Sequence, residues 1–343
     1  MQSLSPSDPR RVAGIELHGR LGEGGMGQVF FGVTPDGVQV AVKIVHKQYA
    51  GREDIRARFD REIAALGMVQ GPRVASLIAA AGPDDEQPWL AMEYVRGLTL
   101  RDFVSENGPL EANTGAALGD LLAEGLGAIH EAGLLHRDLK PANILLAHDG
   151  PKIIDFGLVS LGEALNADAV ELTTSGATLG TPVTMSPEQV STPRNLTPAA
   201  DVYSLGASLL FALTAHYPYQ RPQLPALMWA ITDPNTAPDL SGLPPELVPV
   251  ISGMIGHEAS DRLDLDDVRE RFRHVLASAG LTLGEALVRL TDVTFVARPS
   301  DPPADVDPPP QPPRHDRPPR TPTPVVERLA SRLCSAYRRD RSL

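Results

Sequence analysis

The chain has 343 residues, of which 42% are hydrophobic, so it can bury a sizeable core in about two domains or in one large two-lobed domain. Its 31 Lys and Arg against 43 Asp and Glu give a net charge of −12, which argues against nucleic-acid binding driven by bulk positive charge. The single cysteine, Cys334, excludes a disulfide framework and a Cys-ligated structural zinc within the chain.

No stretch of the sequence has the length of a membrane span. The longest apolar stretch, 202–215, has 14 residues and contains Ser, Gly and Thr, whereas a span needs about 20 residues. The first 11 residues lack the apolar run of a secretory signal. With the single cysteine, these features predict a cytoplasmic protein without a transmembrane segment.

The front of the chain predicts a β-hairpin. A P-D-G turn signal at 35–37 precedes a segment of period-2 hydrophobicity, which is expected to fold back onto 28–32. Beyond about residue 98 the pattern is mainly helical, so two lobes with a cleft between them are expected. One face of the predicted strand carries Val38, Val40, Val42 and Ile44.

A glycine triplet precedes this hairpin. Gly22, Gly24 and Gly27 have the spacing G-x-G-x-x-G, and strand-type residues follow at 29–31. A Rossmann loop would open a helix instead. The context therefore predicts a glycine loop between two strands, whose backbone N–H groups can lie over phosphates.

Lys43 follows on the second strand, on the face that it shares with the small residue Ala41. The small side chain of Ala41 leaves room for the flat ring of a ligand. Lys43 is within reach of phosphates attached to such a ring. A charge among aliphatic residues needs a partner, and Glu62 on the next predicted helix is a candidate, the alternative being a surface acid. That helix is predicted from the apolar stripe Ile55, Phe59, Ile63 and Leu66.

The densest group of polar residues is the H-R-D-L-K-P-A-N segment at 136–143. Two short apolar runs and a D-G turn follow it and predict a hairpin that returns Asp155 to the neighbourhood of Asn143. These two side chains offer hard oxygen ligands that suit Mg²⁺. Asp138 is then placed to accept a hydroxyl proton, and Lys140 is a compact cation for a moving phosphoryl group.

Together these segments resemble the bacterial eukaryotic-type (Hanks-type) serine/threonine protein kinases, in chain order and at family-like spacing over about residues 14–278. The resemblance implies an α+β bilobal fold with a small β-rich N-lobe (about 14–95) and a larger, mainly helical C-lobe (about 96–278). The matching residues are Gly22, Gly24, Gly27, Val29, Ala41, Lys43, Glu62, Arg137, Asp138, Asn143, Asp155, Phe156 and Gly157.

The family pattern implies a role for each polar site residue. Lys43, paired with Glu62, would grip the α and β phosphates of ATP, and Asp138 would deprotonate the substrate hydroxyl. Lys140 would contact the γ-phosphate. The divalent ion, Mg²⁺ with Mn²⁺ as the alternative, would be held by Asn143 and Asp155.

The resemblance also places the nucleotide. Met92 stands at the gatekeeper position of the hinge segment, and backbone groups of Glu93 and Val95 would bond the adenine. Val29, Ala41 and Leu145 would sandwich the ring. The implied nucleotide-binding set is Leu21, Gly22, Gly24, Gly27, Val29, Ala41, Lys43, Met92, Glu93, Val95 and Leu145.

Three C-lobe features also match the family. The motif S-P-E at 186–188 stands where the family has A-P-E, and Arg262 matches the arginine that pairs with Glu188. Asp201 matches the acid near the start of the long C-lobe helix. Thr197 and Pro198 are expected at its N-cap and first positions.

Residues between Arg137 and Thr181 indicate how the kinase is regulated and which acceptor residues it uses. Lys140 and the substrate-positioning Thr181 match the Ser/Thr rather than the Tyr pattern. Arg137 resembles that of kinases whose activation loop is ordered by phosphorylation. We expect autophosphorylation at Thr173 or Thr174, in trans within a transient homodimer. The candidate acceptors are Thr173, Thr174, Ser175 and Thr178.

The two ends of the chain are expected to lie outside the kinase domain. Residues 1–13 read as an N-terminal extension, and 279–297 as an extension of uncertain character. In 298–324, 12 of 27 residues are proline, which predicts a disordered linker. The last segment, 325–343, predicts a short basic amphipathic helix, with a frayed terminus as the alternative.

Two other functions fit parts of the sequence. A small-molecule kinase of the aminoglycoside phosphotransferase type shares the H-x-D-x-x-x-x-N core, although Lys140 and the long activation segment favour a protein substrate. A kinase-fold scaffold could recruit partners through P-x-x-P runs in the tail, for which a simple spacer is the alternative. The main prediction is an ATP-dependent kinase that phosphorylates Ser and Thr in proteins and binds no nucleic acid.

Overall fold

The computed structural model describes residues 1–24, 27–46, 53–82, 85–156, 182–193 and 195–296, and within 53–66 it leaves out the side chains of residues 53–55, 58 and 62. The described residues form a β-rich N-lobe and a larger helical C-lobe, so the predicted α+β bilobal fold is confirmed. None of the helices in these ranges is long and apolar enough to cross a membrane.

The N-lobe is built on a six-stranded antiparallel sheet with strand order β1-β2-β3-β4-β6-β5. A helix, α1, packs beside it and buries Phe59 and Leu66 against a core that includes Leu90. The elements are β1 (Arg11–Val12), β2 (Ile15–Gly24), β3 (Gly27–Val33), β4 (Gln39–Val45), α1 (Glu53–Leu66), β5 (Leu77–Ala80) and β6 (Trp89–Glu93).

The predicted hairpin is β3 and β4, and its register sorts the side chains between two faces. Phe30 lies opposite Val42. Both side chains are fully buried, on the face of the sheet that does not carry Lys43. Val29 lies opposite Lys43 and therefore shares the other face with it. The expectation for Val38 is wrong, because this residue hydrogen-bonds to Thr34 within the turn and is 46% exposed.

Residues before β2 pack onto the same sheet. Gln2 pairs with Arg20 of β2 in both directions, and β1 extends the sheet by one short strand. The carboxylate of Asp8, whose side chain is buried, lies 2.5 Å from the guanidinium of Arg20. These contacts tie the N-terminal segment to the strand that leads into the glycine loop.

The C-lobe surrounds two long helices, α3 and α5, whose buried residues form most of the main core. Helix α5 begins with Pro198 after Thr197 and ends before Ala215, whose φ of 61° stops the helix. Thr197 is at the N-cap position, but its side chain makes no capping hydrogen bond. The helices are α2 (Leu100–Asn107), α3 (Ala112–Glu131), α4 (Pro187–Ser191), α5 (Pro198–Thr214), α6 (Leu224–Thr232), α7 (Val248–Met254), α8 (Leu265–Ser278) and α9 (Leu283–Thr294).

A second, three-stranded sheet lies at the lobe junction, with the order β7 (Leu98–Thr99), β8 (Ile144–Ala147) and β9 (Gly150–Ile153). The predicted hairpin between 144 and 154 is β8 and β9, and its turn is His148 and Asp149, one residue earlier than the D-G signal indicates, because Gly150 already pairs with Ala147. Gly150 has φ of 115°, a conformation that favours glycine. This hairpin carries Asn143 at one end and Asp155 at the other.

Helix α9 occupies most of the segment that the sequence left uncertain. A capping box between Thr282 and Glu285 begins it, and Ala286 and Leu290 are buried in the main core. The helix contacts α3 and both strands of the β8–β9 hairpin. The predicted linker at 298–324 and the basic helix at 325–343 lie outside the described residues.

Candidate active site

The catalytic loop places three polar side chains within hydrogen-bond distance of one another. Lys140 Nζ lies 2.6 Å from Asp138 Oδ2. Asn143 Nδ2 donates to the backbone oxygen of Asp138 at 2.8 Å and to its Oδ2 at 3.2 Å. Asn143 belongs to a 3₁₀ turn at Pro141–Asn143, which is buried at both ends. The loop thus holds the Asp138 carboxylate by one oxygen, Oδ2.

Asp201 fixes the start of this loop from within α5. Its Oδ2 accepts the His136 amide at 2.8 Å and lies 2.9 Å from His130 Nε2, while its Oδ1 accepts the Arg137 amide at 2.8 Å. Burial alone would raise the pKa of Asp201, but the hydrogen bonds outweigh it and hold the pKa below its usual value. Arg137 has φ of 64°, which is strained for a residue other than glycine, so Asp201 stabilises an unfavourable backbone.

His136 connects the catalytic loop to the strand that leads to Asp155. Its ring is completely buried, and Nε2 lies 3.2 Å from the carbonyl oxygen of Ile154. A carbonyl can only accept, so Nε2 carries the proton, and Nδ1 accepts the Asp138 amide at 3.3 Å. Burial lowers the pKa of His136. With Nε2 donating and Nδ1 accepting, the two hydrogen bonds are those of a neutral imidazole, which links the Asp138 amide to the carbonyl that precedes Asp155.

Asp155 faces the N-lobe across the cleft. Its Oδ1 is 3.6 Å from Lys43 Nζ, and both side chains are partly exposed. Asp155 has φ of 59°, a second left-handed non-glycine residue at the site. The amide of Ile154 donates to the backbone oxygen of Asn143 at 3.0 Å, so the hairpin does return Asp155 to the catalytic loop.

The residues Asn143 and Asp155 fit a divalent cation. Asp138 receives both hydrogen bonds of the Asn143 amide nitrogen, and none of the described residues donates to the Asn143 side-chain oxygen. That oxygen and the half-exposed Asp155 carboxylate are hard ligands of the kind that Mg²⁺ prefers. The described residues contain no cluster of three or more His, Cys, Asp or Glu that could hold a metal. A cation here would complete its ligand set with water or phosphate oxygens.

A cavity of about 250 Å³ opens beside Lys43 and Asp155, between the two lobes. It is mostly apolar, and Val29 and Ala41 from the N-lobe face Leu145 from the C-lobe across it. The amide of Val95 is not hydrogen-bonded to any of the described residues, which leaves a donor at its edge. The lining residues are Leu21, Val29, Ala41, Lys43, Ala75, Leu90, Met92, Glu93, Tyr94, Val95, Gly97, Leu145, Ile154 and Asp155.

The glycines of the loop differ in what surrounds them. A Cβ built on Gly22 has no neighbour within 4 Å, whereas one on Gly27 lies 2.1 Å from the carbonyl oxygen of Ile44. Gly27 therefore permits the close pairing of β3 with β4. Gly24 pairs with Gly27 at the end of the hairpin. The described packing therefore requires Gly27 and does not require Gly22.

Glu188 and Arg262 form the predicted ion pair in the C-lobe. Two guanidinium nitrogens bind the two carboxylate oxygens at 2.6 and 2.8 Å, and the Arg262 side chain is fully buried. Burial raises the pKa of Glu188, and the Arg262 hydrogen bonds more than offset this, so the pKa is lowered. Gln189 of the same helix, α4, donates to the backbone oxygen of Arg137 at 2.7 Å and so supports the catalytic loop.

Several predicted site residues lie outside what the structure describes. The backbone of Glu62 is in α1, but its side chain is not described, so the Lys43–Glu62 pair stays a prediction. The regulatory residues Thr173, Thr174, Ser175 and Thr178, the substrate-positioning Thr181 and Gly157 also lie outside the described residues.

Three residues that support the site, His130, Gln189 and Lys152, were not predicted from the sequence. His130 and Gln189 bind partners 71 and 52 residues away, and nothing in the local pattern marks them. Lys152 has a weak signal, because it is one of only four lysines in a chain whose other basic residues are arginine.

The protein kinase domain model matches residues 15–272. This chain belongs to the protein kinase domain family. It is 39% identical over 280 residues to the serine/threonine-protein kinase AfsK of Streptomyces coelicolor, covering 82% of this chain and 34% of AfsK. It is 43% identical over 247 residues to the probable serine/threonine-protein kinase PkwA of Thermomonospora curvata, covering 72% of this chain and 32% of PkwA. The chain thus spans about a third of the length of these curated relatives.

The fold is also that of a solved kinase domain. The crystal structure of the Mycobacterium tuberculosis PknI kinase domain superimposes with a TM-score of 0.59 at 23% identity, over 80% of this chain and 99% of that one. The resemblance to bacterial Hanks-type serine/threonine protein kinases, drawn from the sequence motifs, is therefore confirmed.

Proposed function

We propose that this kinase domain transfers the γ-phosphate of ATP to Ser and Thr hydroxyls of proteins. The observation that carries the proposal is the arrangement of Asp138, Lys140 and Asn143, which the hairpin joins to Asp155 and Lys43 at the cavity. The apolar cavity suits a purine ring, and the polar residues at its mouth suit a triphosphate and an acceptor hydroxyl.

Asp138 is the group that we assign to the acceptor hydroxyl. Lys140 and Asn143 hold its Oδ2, and none of the described residues donates to Oδ1. Oδ1 can therefore accept the hydroxyl proton as the oxygen attacks the γ-phosphorus in line. Lys140 would bring its charge to the transferring group, and Lys43 would bind the α and β phosphates. The Val95 amide is placed to donate to the adenine.

Asn143 and Asp155 would hold the divalent cation, which we expect to be Mg²⁺, with Mn²⁺ as the alternative. When bound, the ion neutralises phosphate charge. Asp155 is kept in its left-handed conformation by the hairpin on one side and faces Lys43 on the other. Both residues would thus approach the phosphates from the C-lobe while Lys43 approaches from the N-lobe.

Protein substrates and Ser/Thr acceptors are inferred from Lys140 and from the relatives, which are named as serine/threonine-protein kinases. Autophosphorylation at Thr173 or Thr174, in a transient homodimer, and a cytoplasmic location stay predictions from the sequence. Phosphopeptide mapping after incubation with ATP tests the first, and an unmodified loop in an active enzyme would contradict it.

The test compares ³²P transfer from ATP by the full chain, by Asp138→Asn and by Lys43→Met. The acceptors are a generic protein substrate, the chain itself and, in a parallel arm, an aminoglycoside. We expect transfer to protein by the wild type and a loss on the order of 1,000-fold or more in each variant, because both remove groups that act on the transferred phosphoryl. Equal activity of all three proteins, or transfer only to the aminoglycoside, would contradict the proposal.

A further inference from the structure

Lys152 is a buried cation that the proposed chemistry does not use. It lies on β9, and only 10% of its side chain is exposed. Its Nζ is 2.5 Å from Glu93 Oε1 at the end of β6 and 3.5 Å from Asp149 Oδ2 in the β8–β9 turn. An ammonium group removed from water in this way needs such partners, so the contact with Glu93 is what keeps Lys152 in place.

The strand register places the Lys152–Glu93 contact beside the nucleotide cavity. Lys152 is directly opposite Leu145 in the β8–β9 pair, and directly opposed residues present their side chains on the same face. Leu145 lines the cavity on the C-lobe side, and Glu93 and Val95 line it on the hinge side. The aliphatic stem of Lys152 thus starts beside the floor of the cavity, and its charged end reaches the hinge.

Glu93 receives this ion pair at the residue where the sheet ends and the hinge begins. Its amide donates to the Ser76 carbonyl at 2.8 Å, and its Oε2 accepts the Ser76 amide at 3.4 Å. Those two hydrogen bonds join the hinge to the N-lobe. Lys152 belongs to β9 of the C-lobe hairpin. Its ion pair with Glu93 therefore joins the hinge to this hairpin.

We infer that Lys152 is a positioning residue for the adenine base. By holding the Glu93 carboxylate, it fixes the hinge backbone at 93–95 at a set distance from Leu145, the residue proposed to contact the other side of the ring. This inference rests on the proposed function and adds a specific role within it.

The test uses the full chain and separates binding of the base from binding of the phosphates. Titration calorimetry is run with adenosine and, separately, with tripolyphosphate and Mg²⁺, for the wild type, Lys152→Met and Glu93→Gln. We expect adenosine affinity to fall about tenfold in each variant, while tripolyphosphate affinity changes less than about twofold. In ³²P assays the KM for ATP should rise about tenfold at a nearly unchanged kcat.

Two comparisons exclude a general loss of structure. Arg273→Met is the control for the loss of a cation from an ion pair, because Arg273 pairs with the buried Asp120 at 2.8 Å in the C-lobe, away from the cavity. It should leave adenosine affinity unchanged. The double variant Lys152→Met/Glu93→Gln removes both charges of the hinge ion pair, and its adenosine affinity should be no lower than that of the single variants.

Unchanged adenosine affinity in Lys152→Met and Glu93→Gln would overturn the inference and leave the proposed function standing. An equal loss of adenosine and tripolyphosphate binding would also overturn it, since the role would then be general. If the wild type bound neither adenosine nor ATP, the proposed function itself would fail and the inference with it. Should Lys152→Met not fold, Glu93→Ala replaces it, because it removes the same contact from the hinge side.

Discussion

The catalytic loop and the nucleotide cavity meet at Asp155, but different forces shape them. The loop is held by buried polar groups from distant elements, above all Asp201 and His136. The cavity is shaped by strand register and apolar side chains, with Val29 and Ala41 on one side and Leu145 on the other. One region depends on a few directional bonds, and the other on many weak contacts.

This difference has an energetic consequence. A buried donor left without an acceptor costs about 1–3 kcal/mol, so the loss of one carboxylate can disturb the whole catalytic loop. A substitution among the apolar side chains that line the cavity changes the contact area by a small amount. The backbone pairing of the strands does not depend on one such side chain. Substitutions on the catalytic side should therefore reduce stability and kcat together, and substitutions on the nucleotide side should change ATP binding first.

The largest effect is expected for Asp201→Ala. The variant leaves the amides of His136 and Arg137 without their acceptor and removes support for the strained Arg137 backbone. We expect the free energy of unfolding to fall by about 3 kcal/mol, and kcat to fall on the order of 100-fold because Asp138 is displaced. Urea denaturation and ³²P transfer per folded molecule measure the two quantities.

Asp120→Ala is the control for this change. Asp120 is also fully buried and ion-paired, with Arg269 and Arg273, but it does not touch the catalytic loop. It should lower stability and leave kcat unaltered. If Asp201→Ala kept its kcat, the catalytic loop would not depend on the buried carboxylate, and the contrast between the two regions would disappear.

A smaller effect separates two glycines of the nucleotide side. Gly27→Ala places a Cβ against the Ile44 carbonyl, so the β3–β4 pair must open, and we expect a loss of about 3 kcal/mol. Gly22→Ala meets no neighbour and should change stability by less than about 0.5 kcal/mol. Its KM for ATP should nevertheless rise several-fold, because the methyl group would stand between the backbone and the phosphates. Thermal unfolding and ATP titrations measure both variants.

Equal losses of stability in the two glycine variants would show that the loop is packed uniformly. An unchanged KM in Gly22→Ala would show that the phosphates do not approach this residue. Either result would contradict the division between a glycine that forms the sheet and a glycine that binds the nucleotide.

The smallest effect is the pH dependence contributed by His136. Burial lowers its pKa in the folded state, so below the unfolded value of about 6.5 the unfolded chain binds a proton that the folded chain does not. Stability is then lost as the pH falls from about 6.5, by at most about 1.4 kcal/mol per pH unit. Urea denaturation at pH 7.5 and 5.5 should show a weaker pH dependence in His136→Phe. The same dependence in both proteins would mean that folding does not shift the pKa of His136.

Much of the site was predictable because its motifs are local. The H-R-D-L-K-P-A-N segment and the D-F-G segment are joined by a short hairpin, so the proximity of Asn143 and Asp155 follows from the turn between them. Period-2 hydrophobicity likewise predicted the pairing of β3 with β4. The prediction for Val38 was wrong because the hydrophobic alternation continues into the turn. There, hydrogen bonds to Thr34 determine the backbone conformation.

The rest could not be predicted, since it depends on residues that are far apart in the chain. The neutral form of His136 follows from its hydrogen bonds to the Ile154 carbonyl and the Asp138 amide, and the Lys152–Glu93 pair joins residues 59 positions apart. Gly27 reads as a phosphate-binding glycine, and only the closeness of Ile44 shows its structural role.

Length, composition and charge set the outer limits: a core for about two domains or one two-lobed domain, a net charge of −12 that argues against nucleic-acid binding driven by bulk positive charge, and prolines concentrated in 298–324. By itself the sequence determined the family and the residues that carry the proposed chemistry, because motif spacing along a chain survives without the fold. The tertiary structure decided which carboxylate oxygen of Asp138 is available to the acceptor hydroxyl and which ring nitrogen of His136 carries the proton. It also decided which lysine reaches the hinge. Hydrogen-bond direction and burial exist only once distant segments are packed together.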